Sequence, residues 1–225
     1  MEPPDTARFL LKRAPGAKYL AVDHRASHLA AAKQARGWTD LEPLRAQRSH
    51  LQPNTNLLRG LRAADGYNGL APVHSLVAWD DMGHGGKLQE LKVGSAAWVR
   101  FLQLNGVAHV VTQGPLPSRK LQEVFAGEGG YLVHAVPQPV RAAHLASQAV
   151  AAEGPVEAWQ AMLTQSFQPG RDVALLGTDA AEACMHVAYT AEEGVAAGEA
   201  LIESRDGSRV VVMTRAARPS ILVLT

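Results

Sequence analysis

A chain of 225 residues, 47% hydrophobic and 19% charged, can bury a substantial core and is too apolar for disorder, which excludes disulfide mini-proteins and unfolded tails. Its 22 Lys and Arg against 21 Asp and Glu leave a formal net charge of +1, so there is no field to draw in a phosphate backbone and nucleic acid is not an expected partner. One cysteine, Cys184, excludes an internal disulfide and a multi-cysteine metal site.

At the start, Met1-Glu2-Pro3-Pro4-Asp5 has neither the basic nor the apolar run of a secretion signal. No apolar run approaches the roughly 18 residues of a membrane span. Asp5 or Thr6 can cap a short helix carrying Phe9 and Leu10 on one face, ended by Pro15-Gly16. A strand follows at 18–23, then an alanine-rich helix at 29–36 with Gly37 as its C-cap, and a weaker turn around Leu41 and Leu44 interrupted by Pro43. Residues 53–56 read as a turn and 65–69 as tightly shaped backbone, with glycine and asparagine suited to positive φ. An apolar stretch at 73–79 precedes the glycine-rich connector 83–86.

Helical spacing returns over 87–104, with a break near Gly94-Ser95 and a stop at Asn105-Gly106. A buried-type strand at 107–112, a helix at 119–125 and a strand at 131–136 complete an alternating pattern. Beyond Pro137-Gln138-Pro139 come a strand near 140–146, a helix at 155–167 with Pro155 in its first turn, and a strand at 172–176. The remainder reads as strands at 184–190, 200–204, 209–214 and 220–225, with Asp206-Gly207 as a hairpin turn. The expected architecture is therefore mixed α/β (α+β): an α/β subdomain over 1–136, and a β-rich, sandwich-like subdomain over 137–225 with one helix near 155–167. The last strand reaches Thr225 with no turn or cap, and its apolar run calls for cover on both faces, so this final sheet reads as truncated.

Nine histidines raise the question of a metal. His24 and His28 are spaced as zinc-binding pairs are on a helix, with Asp23 alongside, but the pair straddles the expected strand end and Arg25-Ala26-Ser27 contains no glutamate. Asp80-Asp81 with His84 offers two carboxylates and a base, yet adjacent side chains on an extended chain point apart. Turn histidines and a solvated loop are the stronger readings, and neither a metal nor a cofactor is expected. There is no G-x-S-x-G and no Walker loop, and Gly127-Glu128-Gly129-Gly130 precedes a strand where a dinucleotide fingerprint would follow one. Cys184 reads as a structural thiol in a strand, and Trp38, Trp79, Trp98 and Trp159 mostly as core.

The most informative stretch is 53–70, PNTNLLRGLRAADGYNGL, followed by Pro72. It resembles the extracytoplasmic region of bacterial YfhO-type membrane proteins, large multi-span proteins related to glycosyltransferases that use lipid-linked sugars. Similar segments follow in order: LQLNGVAHVVT (102–112), YLVHAVPQPVRAA (131–143), FQPGRDVALL (167–176) and RVVVMTRAARPSILVLT (209–225). The third departs from the family's Pro-Arg pair, since Gln138 to Val140 intervene before Arg141.

The resemblance implies an extracytoplasmic soluble domain of a polytopic glycosyltransferase-like parent that uses a polyprenyl-phosphate sugar. Catalytic carboxylates would lie outside this chain, whose partners would be the remaining membrane portion and a glycan or lipid-linked sugar. Asn56, Asp65, Tyr67 and Asn68 are the candidate ligand contacts; the same residues also make sense as a self-bonded turn cluster. Two other readings stand beside this one. One is a self-contained metal-dependent hydrolase around His24, His28, Asp80 and His84. The other is a structural or partner-docking module with an apolar surface near 222–225.

Overall fold

The computed structural model describes residues 3–22, 33, 39–40, 48–51, 59–64, 91–177, 179–189, 197–206 and 209–225. Among them are four α-helices and eleven strands, a mixed α/β chain of β-rich character. It divides into two compact units. The described residues of the first lie within Met1–Ala71, Lys92–Leu102 and Val107–Gln138, and those of the second within Pro72–Leu91, Gln103–Gly106 and Pro139–Thr225.

The first unit opens with α1 (Asp5–Arg13), entered from extended Pro4, with Asp5 in its first turn and Lys12 and Arg13 in its last, each sign matched to the helix dipole. Its apolar side meets a five-stranded sheet of β1 (Lys18–Ala21), β2 (Arg62–Ala63), β3 (Val107–Gln113), β4 (Gln122–Ala126) and β5 (Tyr131–Ala135). The strand order is β2-β1-β3-β5-β4. β1 runs parallel to both β2 and β3, while β5 is antiparallel to β3 and β4. Ala7 and Leu10 share a core with Tyr19, Ala21, Val111 and Val133. Leu20 and Val110, which alternate with these along their strands, are also buried, so both faces of the sheet are covered at β1 and β3.

Helix α2 (Ala96–Leu104) starts where the sequence breaks at Gly94-Ser95. The Ser95 hydroxyl accepts the Trp98 N–H at 3.2 Å, an N-cap. Gly94 has φ 81, and a Cβ there would stand 2.9 Å from the Pro117 carbonyl oxygen, so only glycine fits. Trp98, Val99, Phe101 and Leu102 form its buried stripe. Trp98 is thus a core residue, as expected, while Trp159 is half-buried and Trp38 and Trp79 lie outside the described residues.

The expected helix at 119–125 is instead the edge strand β4. Gly129 and Gly130, at φ 74 and 77, reverse the chain and pair Phe125 with Val133. Phe125 also stacks on Phe9 with ring centroids 4.7 Å apart. Hairpin pairing and this aromatic contact override the helical leaning of Leu121, Gln122 and Glu123.

In the second unit β7 (Gln148–Ala152), α3 (Pro155–Leu163) and β8 (Asp172–Leu176) make a parallel βαβ unit. The alanine-rich β7 carries no strand signature and was not expected as a separate strand. α4 (Ala180–Tyr189) packs on β7. It replaces the strand expected at 184–190, because Ala180, Ala181, Glu182 and Ala183 start a helix that the apolar residues after them continue. Cys184 therefore sits half-buried on a helix, where burial pushes its thiol pKa up and disfavours the thiolate.

β6 (Ala143–Ala146) pairs antiparallel with β11 (Ile221–Leu224), and β9 (Gly198–Asp206) with β10 (Arg209–Ala216). The hairpin ladder closes on Asp206 opposite Arg209, so Asp206 is a strand residue and not part of the turn expected at Asp206-Gly207. Ala143, Leu145, Ala197 and Ala200 form a small core that Ile202 and Val212 extend, the sandwich-like part of the unit. β11 alternates: Ile221 and Val223 are half-buried and Leu222 and Leu224 exposed, so the cover expected on both faces is absent among the described residues.

Candidate functional site

Parallel strands in the order β2-β1-β3 have their carboxyl ends at one edge of the sheet. In the order of the chain β1 is followed by β2 on one side of it and then by β3 on the other, and it is at the carboxyl ends of such strands that open α/β sheets hold ligands. Just beyond β1, Val22 donates its N–H to Val111 O at 2.9 Å, and its carbonyl accepts the His50 Nε2–H at 2.6 Å. His50 is fully buried with its ring 5.2 Å from that of Tyr131. The next residue, Leu51, is also fully buried and has φ 55, a left-handed conformation that costs a non-glycine residue energy and persists only when its surroundings impose it. The surroundings are visible: Tyr19 Oη donates to Leu51 O at 3.0 Å, and Thr6 Oγ1 donates to Ser49 O at 2.6 Å.

The candidate ligand contacts Asn56, Asp65, Tyr67 and Asn68 lie outside the described residues, as do His24, His28, Asp80, Asp81 and His84. Leu51 stands before the 52–58 segment that holds Asn56, and Arg59 follows it. Ala64, the residue before Asp65, donates its N–H to Tyr19 O at 2.7 Å. One residue of β1 thus roots both segments, Tyr19 holding Leu51 by its hydroxyl and Ala64 by its backbone. Burial and the neighbouring Arg48 both lower the Arg59 pKa, with Tyr19 pulling it the other way, so two guanidinium groups lie within Coulombic range beside these roots.

Sequence reasoning missed Tyr19, His50 and Leu51. The one available signal was a tyrosine in an otherwise apolar strand, since a buried phenol must find a partner. Among the described residues no group of three or more His, Cys, Asp or Glu side chains could hold a metal ion, and no helix is long and apolar enough to cross a membrane.

A second polar cluster lies on β3 and β5. Thr112 Oγ1 donates its proton to Gly114 O at 2.7 Å, so at the 3.0 Å Thr112–His134 contact the imidazole must be the donor, which fixes neutral His134 as the Nε2–H tautomer. On the opposite face of β3, His109 meets Phe9 edge-on at 6.4 Å, and its buried Nδ1 has no hydrogen-bond partner among the described residues. Burial lowers the pKa of His109, of His134 (against a smaller upward pull from Glu123) and of His144 (against the Arg141 carbonyl).

Each of these folded pKa values lies below the ordinary 6.5, so on acidification the unfolded chain takes up protons first. Stability is expected to be full above pH ~6.5 and to fall as the pH drops through that value towards the folded pKa values. Urea midpoints across a pH series check this. His134→Gln, which keeps a donor for Thr112, should flatten the slope, and a midpoint that rises on acidification would contradict it.

Compared with protein-family models, curated proteins and solved structures, the chain has no match.

Proposed function

We propose that the chain is a non-catalytic recognition module on the extracytoplasmic side of a multi-span bacterial membrane protein of the YfhO type. In this reading it contributes contacts to a glycan or a lipid-linked sugar, while the remaining membrane portion of the parent carries glycosyl transfer. The observation that supports it most is the double rooting on Tyr19. The segments bearing Asn56 and Asp65 begin from residues pinned to one central strand, among the parallel strands of a mixed sheet. Polar loop residues on a rigid scaffold bind with less entropy to lose. Arg48 and Arg59 add positive potential of the kind a polyprenyl-phosphate headgroup would meet.

Saturation-transfer NMR of the chain with surface oligosaccharides and a short-chain prenyl phosphosugar tests the reading. Sugar ring protons are expected to receive saturation, and Asp65→Ala or Tyr67→Ala to weaken binding about tenfold. Tyr19→Phe, a change at a positioning residue, should weaken binding by a smaller factor. The reading fails if no sugar receives saturation, or if the Asp65→Ala, Tyr67→Ala double variant binds as the parent chain does.

A further inference from the structure

β10 reads RVVVMTRA and pairs with β9 along one edge; among the described residues no strand pairs with its other edge. The ladder ends with Ala217 donating its N–H to Ala197 O. By antiparallel alternation Arg215 and Met213 share that orientation towards β9, so Val212, Thr214 and Ala216 direct their N–H and C=O groups outward. Soluble proteins usually blunt such an edge with proline, a bulge or an inward charge. The single irregularity of this ladder puts its extra residue, Glu203, on β9, and β10 has neither proline nor charge between Val210 and Thr214. Beside this edge Leu201 and Met213, directly opposite each other on the outer face, are 62% and 55% exposed.

Charge indicates what would join this edge. Arg209 and Arg215 bracket the apolar run on the same outer face as Met213, opposite Asp206 and Glu199 of β9. A second copy of β10 added antiparallel and centred on Val212 would set Arg209 against Arg215 at both ends, a like-charge arrangement that destabilises cross-strand pairs. Acidic side chains at those two places would instead complete rows of acid, arginine, acid. We propose that β10 is a docking edge for an extended segment of a partner protein, an apolar β-branched stretch with an acidic residue at each end, which adds to the hairpin as a third strand. This surface is independent of the glycan reading.

The test uses the isotope-labelled chain and the peptide Glu-Thr-Val-Thr-Val-Thr-Glu, with a lysine-ended counterpart. The glutamate-ended peptide is expected to shift the amides of 210–216 with a Kd on the order of 0.1–1 mM. At low salt it should bind about tenfold tighter than the lysine-ended one, a difference that shrinks as salt is added. Thr214→Pro removes an outward N–H at an exposed position and should abolish the shifts. Arg209→Gln with Arg215→Gln leaves the ladder intact and should bring the two peptides to equal affinity. The proposal is overturned if neither peptide shifts 210–216, if both bind the unmodified chain equally, or if β10 amides broaden with concentration in the absence of peptide, which would mark a second copy as the occupant.

Discussion

Truncating Phe101 to alanine is expected to cost about 3–5 kcal/mol of stability, the largest effect of any single change considered. Phe101 is 0% exposed and lies on the α2 stripe with Trp98, Val99 and Leu102, so removing its ring forfeits the transfer free energy and leaves a cavity that buried neighbours close only in part. Urea unfolding gives the measurement, and the control is Leu201→Ala on the exposed face of β9, expected within about 0.5 kcal/mol of the parent. Comparable losses from the two variants would mean that α2 does not anchor the core as described.

Asp5→Ala is expected to destabilise by about 1.5–3 kcal/mol through lost hydrogen bonds to a charged acceptor. The Asp5 carboxylate accepts the Thr6 N–H at 2.8 Å and the Ser49 hydroxyl at 3.3 Å on one oxygen, and the Glu128 N–H at 2.5 Å on the other. It thereby ties the start of α1 to the Arg48–His50 turn and to the loop between β4 and β5. Removing it frees the turn that presents His50 and Leu51 as well as the loop. Asp5→Asn, with one carbonyl oxygen able to accept, should recover part of the loss, and amide exchange at Glu128 should rise more in the alanine variant. A melting temperature unchanged in Asp5→Ala would refute the tie. Gly127 belongs to the same arrangement, since a Cβ there would come within 2.9 Å of this carboxylate.

Local chemistry made several elements legible from the sequence. Pro15-Gly16 and Gly94-Ser95 punctuate helices because few other residues fit the backbone they require, and 107–112 reads as a strand because its β-branched run suits a sheet covered on both faces. The candidate site was legible as a motif and no further. PNTNLLRGLRAADGYNGL identifies residues suited to a turn or to ligand contact, but nothing in it indicates that the segment is rooted on Tyr19, a residue distant in sequence.

What the sequence by itself determined is the mixed α/β class, the helices α1, α2 and α3, the β9–β10 hairpin and the shortage of any charge or cysteine pattern for nucleic acid or multi-cysteine metal binding. The tertiary structure alone decided that 122–126 is a strand, that the apolar residues around Cys184 continue a helix, that β7 exists, and that Leu51 is held left-handed. In each of these the deciding free energy comes from a partner brought close by the fold: Val133 and Phe9 for Phe125, β8 for β7, and the Tyr19 hydroxyl for Leu51. Such contacts outweigh the few tenths of a kcal/mol by which intrinsic preferences differ, and a linear pattern does not record them.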